Sequence, residues 1–282
     1  MLQFLIRFAT RFAILVPGLI IAFFGIDKIL PYFNSRLPSG LALLFTYILS
    51  AYILVPALHR LFGIFIADKV HLPINSITPD GLASDPLNIG IVATRRELIK
   101  VMEQSGWHMA DPHTPKYMFR MGVAILFGQS YDNAPVSALY LFGRKQDLAF
   151  EIPIGSSPNS RHHVRFWATT YDIQKDKKEK LDVKSIHWHH RSSHVYGDSL
   201  LWVGAASKDS GLALVRHNLQ FTHMISPDTN EEREMIVYQL KKSNLVEKIT
   251  YIKLGKPYRL INRVINGYLQ TDGKMAIVKL KK

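Results

Sequence analysis

The chain has 282 residues, a formal net charge of +13, 48% hydrophobic residues and no cysteine. This length allows one or two domains with a full core, and residues 1–67 are far richer in hydrophobic side chains than the rest. The lack of cysteine excludes disulfides and cysteine-ligated zinc, and it leaves the cellular compartment open.

Two uncharged hydrophobic runs near the N terminus predict a membrane anchor. They cover Phe12–Ile26 and Leu37–Leu58. Because about 20 apolar residues span a bilayer as a helix, we expect a two-helix transmembrane hairpin within residues 1–67, with its turn at Asp27–Ser39. The flanks of the hairpin carry four basic residues and the turn carries two. This asymmetry favours both termini, and with them the soluble domain, in the cytoplasm. We expect the membrane to be a bacterial inner membrane.

A second domain is predicted over residues 87–282, after a linker at 68–86 that contains prolines and glycine. Asn88–Val92 is expected to form a short buried strand. Thr94 and Glu97 then form the capping-box pattern of a helix. This alternation of strand and helix begins a folded domain.

The remaining elements do not follow a regular alternation of strands and helices. A helix is predicted over Pro115–Gln129, then a hairpin of Ser137–Phe142 with Asp147–Ile152, and then a strand over Arg161–Thr169. A flexible charged segment over Asp172–Lys184 follows, and after it a hairpin in which Leu200–Ala206 pairs with the chain from Leu212 around the turn Ser207–Gly211. The last predicted elements are a strand over Phe221–Ile225, a helix capped by Asp228, an amphipathic helix over Pro257–Gly267 and a strand after the turn Thr271–Lys274. This order predicts an α+β fold with a mixed, mainly antiparallel sheet and a few flanking helices.

The predicted strand that begins at Arg161 has an unusual composition. Its alternation places Arg161, His163, Arg165 and Trp167 on one face. Cationic and titratable groups this close repel one another unless they meet carboxylates, phosphate or a metal. This face is therefore the leading candidate for a functional site.

One hypothesis makes this face a ligand site. Arg161 and Arg165, together with Arg144, would clamp a phosphate through their forked donors. Trp167 and His223 are further candidates for contacts with the ligand.

A catalytic hypothesis gives His163 the role of general acid, general base or nucleophile, with Asp147 or Asp209 orienting its ring. A weaker variant combines His163, His223 and Asp209 as a metal site, but these residues do not form a spacing motif. The pattern does not identify a cofactor or a particular metal.

The alternative to both hypotheses is purely structural. In it, the acidic side chains neutralise the arginines in a buried polar network that fixes the fold. The acidic candidates are Asp147, Glu151, Asp209 and Asp228.

The C-terminal segment Lys241–Lys282 is strongly basic, with eleven basic residues against Glu247 and Asp272. Beside a membrane anchor, such a segment most simply faces anionic lipid headgroups. No recognisable nucleic-acid motif accompanies it, which favours lipid over nucleic acid. A solvated basic surface is the simpler alternative.

Several motifs occur in an order that resembles one protein family. They are Ala134–Ser137, Leu141–Phe150, Arg161–Trp167, Leu201–Asp209, Thr222–Ile225 and Glu231–Arg233. The series is similar to the LssY C-terminal domain family over residues 86–244. Members of that family are often fused to membrane modules of the phosphatidic-acid-phosphatase or DedA type. The resemblance thus implies a role in phospholipid metabolism or membrane transport, next to a membrane enzyme rather than in its place.

Two functions follow as expectations. The first is a phosphoester or phospholipid hydrolase or transferase built on Arg161, His163 and Arg165. The second is a non-catalytic module that binds an anionic lipid headgroup or a membrane protein partner.

Overall fold

The computed structural model describes residues 16, 18–55, 57–58, 74–79, 83–141, 143–155, 160–169, 199–214, 221–262 and 267–281. The chain forms two compact units. One comprises Met1–Ala67, Pro79–Leu82 and Ala213–Thr222, and the other comprises Asp68–Thr78, Ala83–Leu212 and His223–Lys282.

The N-terminal unit contains a helical hairpin. Its helical segments are residues 18–24, the π-helical turn Gly25–Ile29, α1 (Leu30–Asn34), α2 (Ser39–Ile48) and the π-helical turn Leu49–Leu54. The two arms meet at Phe33 and Phe45, whose ring centroids lie 5.7 Å apart. The turn between them is shorter than predicted, because the chain from Asp27 to Asn34 is helical.

Within the described residues, no helix is both long enough and apolar enough to cross a membrane.

The second unit is built from short strands and three helices. Its described elements are β1 (Asn75–Ile77), β2 (Ala83–Pro86), β3 (Ile89–Ala93), α3 (Arg95–Gln104), β4 (His108–Met109), α4 (Pro115–Leu126), β5 (Tyr140–Leu141), β6 (Arg144–Lys145), β7 (Leu148–Pro153), β8 (Arg161–Ala168), β9 (Leu200–Leu214), β10 (Phe221–Ile225), α5 (Thr229–Lys242), β11 (Val246–Lys253), β12 (Tyr258–Asn262), β13 (Gly267–Thr271) and β14 (Lys274–Leu280).

The main sheet has the strand order β11-β14-β3-β9-β8-β7-β4, and β10 pairs with β9. Along the path from β11 to β4, only β14 and β3 run parallel. A smaller sheet has the order β2-β1-β5-β6, and β12 pairs with β13. This mainly antiparallel arrangement with a few helices confirms the predicted α+β class.

Hydrophobic clusters cover both faces of the main sheet. On one face, Val164 and Phe166 of β8 pack with side chains of α3 and α5. On the other, Trp167 packs with Leu139 and Leu141, which flank and enter the small sheet. The alternation predicted for β8 is therefore confirmed, and the face with Arg161 and His163 is turned towards the small sheet.

Local sequence signals located several elements correctly. Strands β3, β8 and β10 lie within one residue of their predicted bounds. The capping box of α3 is present, with Thr94 N donating to Glu97 Oε2 at 2.7 Å and Glu97 N donating to Thr94 Oγ1 at 3.2 Å. The Asp228 side chain caps α5, as predicted.

Both predicted hairpins of the second domain are wrong. Tyr140 of β5 pairs with Lys145 of β6, whereas β7 pairs with β8 and β4, so the two predicted arms belong to different sheets. The predicted turn Ser207–Gly211 lies inside β9, which runs without interruption from Leu200 to Leu214. In the first place a shorter local hairpin, β5 with β6, replaces the predicted one, and in the second β9 pairs with β8 and with the distant β3 instead of folding back on itself.

The predicted amphipathic helix at Pro257–Gly267 is also wrong. Its first part forms β12, which pairs along its length with β13. A short helix depends on packing for its stability, and the β13 backbone offers the segment a full set of hydrogen bonds instead. The segment Asp172–Lys184 lies outside the described residues.

Candidate functional site

The predicted site lies where three strands of the main sheet meet side by side. In register, His163 of β8 stands opposite Glu151 of β7 and opposite Ser207 of β9. Cross-strand partners share a face of the sheet, so these three side chains point the same way. They meet further polar residues there and form what we term the buried polar network: Asp85, Glu151, Arg161, His163, Arg165, Ser207 and Asp209.

Arg161 lies between two acidic side chains. Its Nη1 donates to Glu151 Oε2 at 2.6 Å, and its Nε donates to Asp209 Oδ2 at 3.1 Å. The remaining donors face the backbone carbonyls of Ala134 at 3.4 Å and Pro135 at 3.3 Å. The guanidinium group is therefore surrounded by acceptors from the protein itself.

Arg165 has a similar environment. Its Nη1 donates to Asp85 Oδ2 at 2.9 Å, and its Nε donates to the Ser137 carbonyl at 3.0 Å. Asp85 comes from β2 of the small sheet, within the segment that the sequence predicted to be a linker. A residue from outside the predicted domain thus neutralises the second arginine.

Ser207 connects Asp85 to His163. Its hydroxyl donates to Asp85 Oδ2 at 2.8 Å, and its Oγ lies 2.8 Å from His163 Nε2. A hydroxyl has one proton, and this proton is directed to Asp85, so His163 Nε2 must be the donor in the second contact. His163 therefore does not act as a base towards Ser207, although the distance alone would fit a nucleophile and its base.

The other side of the imidazole faces Asp209. His163 Nδ1 lies 3.4 Å from Asp209 Oδ1 but makes no hydrogen bond. Glu151 Oε1 is also buried without a hydrogen bond, and Glu151 is the cross-strand neighbour of His163. The network consequently has two incompletely satisfied atoms on adjacent strands.

The charges of the network balance. Burial raises the pKa of Glu151 to about 8, against the opposing charge of Arg161, so this carboxyl group is mostly protonated at neutral pH. Burial would also raise the pKa of Asp85, but His163, Arg165 and Ser207 together outweigh it and hold that pKa below its ordinary value. The two guanidinium groups then face two carboxylates, those of Asp85 and Asp209.

The network is closed to solvent. None of its seven side chains belongs to a residue that is more than 5% exposed. A cavity of about 420 Å³ lies elsewhere, along the segment Trp107–Pro112, and no residue of the network lines it. Within the described residues, no cluster of histidine and acidic side chains has the geometry of a metal site.

Arg144 and Asp147 do not join the network. Arg144 donates to the Asp147 carboxylate and to the Ala168 carbonyl, and the Ala168 N–H donates to Asp147 Oδ2 at 2.8 Å. Ala168 and Arg161 are the two ends of β8, roughly 23 Å apart at about 3.3 Å per residue. Arg144 therefore takes no part in a clamp with Arg161, and Asp147 does not orient His163.

The two remaining predicted residues, Trp167 and His223, lie on β8 and β10. Trp167 is fully buried, and its Nε1 donates to the Arg144 carbonyl at 3.3 Å, so its ring is part of the core rather than a stacking surface. His223 lies in β10, but its side chain is outside the described residues. Asp228, a predicted partner of the arginines, caps α5 instead.

Sequence reasoning missed two members of the network, Asp85 and Ser207. In β9, Ala205, Ser207 and Asp209 are two residues apart, and side chains at this spacing share one face of a strand. A strand predicted to continue to Asp209 would therefore have placed Ser207 and Asp209 together on the face that carries the network. For Asp85 we find no local signal, because its partners Arg165 and Ser207 lie 80 and 122 residues away along the chain.

The sequence of the whole domain agrees with one known family. The family model described as LssY C-terminus matches residues 69–275, which include all seven residues of the network. The chain belongs to the LssY C-terminus family. No curated protein and no solved structure matches the chain. The buried polar network is therefore part of the LssY C-terminus domain, as are the small sheet and every strand of the main sheet except β14, most of which lies beyond residue 275.

Proposed function

We propose that this protein is a non-catalytic module that works at an anionic membrane surface. In this proposal the helical hairpin inserts into the bilayer, and the LssY C-terminus domain contacts the headgroups through a basic edge. The main support for this proposal is a difference between two groups of basic residues in the domain. The predicted arginine site is buried and neutralised by the protein, whereas seven of the eight described lysines after residue 240 are exposed and form no ion pair with an acid among the described residues.

The burial of the arginines argues against phosphate chemistry at this place. Each guanidinium already donates to carboxylates and carbonyls, so a phosphate would have to displace Asp85, Glu151 or Asp209. Breaking a buried ion pair costs about 3–5 kcal/mol, and each of these acidic residues is at most 3% exposed. This supports the structural role of the network over a hydrolase or transferase centred on His163.

The basic edge supports headgroup binding. It comprises seven exposed lysines at the end of α5, on β11, in the loop that follows and at both ends of β14: Lys241, Lys242, Lys248, Lys253, Lys256, Lys274 and Lys281. In the described part of this segment, the one lysine paired with an acid is Lys279, with Nζ 3.1 Å from Glu247 Oε1. Each lysine near an anionic leaflet contributes about 1 kcal/mol to binding.

The strand register adds to this charge. Lys253 stands directly opposite Lys274, whereas Lys248 stands opposite Lys279, whose charge is compensated by Glu247. Like charges at directly opposed positions destabilise a sheet, and an anion at the edge would remove this cost. The arrangement therefore favours a partner that carries many negative charges, such as a bilayer with anionic lipids.

The exposed surface of the hairpin supports membrane insertion. Its outward side chains are large and apolar, with Leu19 69% and Phe23 72% exposed, and Leu43 and Ile53 more than half exposed. Leaving such side chains in water costs roughly 1.5–3 kcal/mol each relative to full burial. Acyl chains would cover them, as the hydrophobic runs of the sequence predict.

The experiment uses the full chain in lipid nanodiscs, with a fluorophore at Thr250→Cys on the exposed side of β11 and a quencher attached to lipid headgroups. We expect quenching in discs that contain phosphatidylglycerol, and little in discs of phosphatidylcholine alone. High salt should reduce it, because the Debye length falls to about 3 Å at 1 M.

A matched pair of variants tests the basic edge. Lys248→Glu with Lys253→Glu should remove most of the quenching. Arg96→Glu with Lys100→Glu makes the same change of charge at exposed positions on α3 and should leave it unchanged. Equal loss in both pairs would show a general charge effect and overturn the assignment to β11. Phosphate release from phospholipids by the wild-type chain, abolished in His163→Gln, would overturn the non-catalytic role.

A further inference from the structure

The helix α4 exposes its apolar side chains instead of burying them. Phe119 is 76% exposed and Leu126 77%, and Phe127, directly after the helix, is 67% exposed. The buried side is small: Ala124 packs with Tyr131 and Ala134, and Met121 packs at the margin of this cluster. The hydrophobic side of this helix thus faces away from the domain.

The exposed residues share one face. Met118, Phe119, Gly122, Ile125 and Leu126 are spaced three, four and seven residues apart, which aligns them along the helix. On a helix of a soluble domain this stripe would face the core. A continuous exposed apolar stripe marks a contact with another apolar phase or molecule.

The charges around the stripe indicate what it contacts. From His113 to Tyr131 the sequence contains no aspartate or glutamate, and Asp111 and Asp132 lie just outside this range. Lys116 and Arg120 lie on the rest of the helix surface, about 120° and 160° around the axis from Gly122 at the centre of the stripe. The Arg120 guanidinium carbon lies 4.2 Å from the Tyr131 ring centroid. An apolar stripe on a helix whose other charged positions are cations only is typical of helices that lie in the interface of an anionic bilayer.

We infer that α4 lies in the interfacial layer of an anionic membrane, with Phe119, Leu126 and Phe127 among the acyl chains and Lys116 and Arg120 at the headgroups. This inference rests on the proposed function and adds a second, apolar contact to the basic edge. A second copy of the chain is a poorer occupant, because its α4 would cover the apolar stripe but has no acidic residue to offer Lys116 and Arg120. The bilayer satisfies both the apolar stripe and its charges.

Gly122 provides a clean way to alter this face. A Cβ at Gly122 would meet no atom within 4 Å, so a side chain added there points into open space. Gly122→Asp would place a negative charge in the middle of the stripe without disturbing the core. Gly122→Ala makes the same backbone change without charge and is the matched control.

The depth of α4 can be measured directly, because the full chain contains no cysteine and each single-cysteine variant carries one label. Fluorophores at Phe119→Cys and Leu126→Cys are compared with one at Gln104→Cys, an exposed position on α3. The proteins are reconstituted into vesicles of phosphatidylcholine and phosphatidylglycerol that contain lipids brominated on the acyl chains.

We expect quenching by the brominated lipids to be several-fold stronger at positions 119 and 126 than at 104. Gly122→Asp should reduce quenching at position 119 to the level of 104, and Gly122→Ala should preserve it. Labels at 119 and 126 that behave like the one at 104 would overturn the inference. Labels shielded from aqueous iodide but not quenched by the lipids would also overturn it, since they would indicate a protein surface.

A vesicle flotation assay distinguishes failure of the α4 placement from failure of the proposed function. If the wild-type chain does not float with vesicles after extraction with alkaline carbonate, membrane insertion itself is wrong. If it floats while the labels on α4 remain in water, only the interfacial placement of α4 is wrong.

Discussion

Glu151 and His163 stand directly opposite each other on β7 and β8, and each has one buried atom without a hydrogen bond, Oε1 and Nδ1. Burial raises the pKa of Glu151 to about 8, so folding places a proton on this carboxyl group beside the Arg161 guanidinium. Glu151 therefore makes the stability of the folded domain depend on pH.

The first prediction concerns this proton. The pKa of Glu151 rises from an ordinary value of 4.5 to about 8 on folding, so between these values the folded state holds a proton that the unfolded state has lost. The free energy of unfolding should therefore fall as pH rises from about 4.5 to 8, by at most about 1.4 kcal/mol per pH unit from this group. Denaturant titration of the full chain in detergent measures it.

Glu151→Gln mimics the protonated carboxyl group and should remove this contribution. The exposed Glu103→Gln is the control and should keep the wild-type slope. A Glu151→Gln protein whose stability falls with pH as steeply as the wild type's would contradict the prediction.

A second prediction concerns the ion pair between Asp85 and Arg165, which links the two sheets. Asp85→Asn leaves Arg165 as a buried charge without its carboxylate and should lower the free energy of unfolding by about 3–5 kcal/mol. Adding Arg165→Met should recover part of this loss, because no uncompensated charge then remains. The exposed Asp132→Asn should change stability by less than about 0.5 kcal/mol. Additive effects of the two substitutions, measured in a double-mutant cycle, would argue against a direct pair.

Ser207 is the third test, because its distance to His163 alone resembles that of a serine nucleophile. Its proton is directed to Asp85 and the residue is fully buried, so a fluorophosphonate probe should not label it. Ser207→Ala should instead destabilise the fold by about 1–3 kcal/mol, because it leaves the buried His163 Nε2–H without an acceptor and removes one of the donors to Asp85 Oδ2. Mass spectrometry of the treated full chain decides the question, and stoichiometric labelling at Ser207 would restore the catalytic hypothesis.

The caps of α3 and α4 allow a fourth prediction. The Thr94 side chain accepts a hydrogen bond from the backbone of α3, whereas Thr114, at the same position of α4, makes no such bond. Thr94→Ala should therefore cost about 1 kcal/mol of stability, and Thr114→Ala clearly less. Thermal denaturation of both variants under one condition compares them, and equal losses would contradict this account of the caps.

Several features were determined by the sequence on its own, because their causes are local. The capping box of Thr94 and Glu97 and the acidic cap at Asp228 involve residues within one helical turn. The two faces of β8 follow from the alternation of side chains along a strand, so the common face of Arg161 and His163 was visible in the sequence.

The partners of those residues were decided by the tertiary structure. Asp85 and Ser207 meet only because β2 of the small sheet lies over β9, and a sequence gives no distance between segments that far apart. The residues Ser207 to Gly211 have the composition of a turn, but Asp209 finds a charged partner in Arg161. The preference of one residue for a turn or a strand changes stability by a fraction of a kcal/mol. Burying a polar side chain without a hydrogen-bonding partner costs more than this, so the position of the partner decides the structure. The composition of the arginine strand thus indicated that a charged cluster exists, whereas the fold decided that this cluster is buried and neutral.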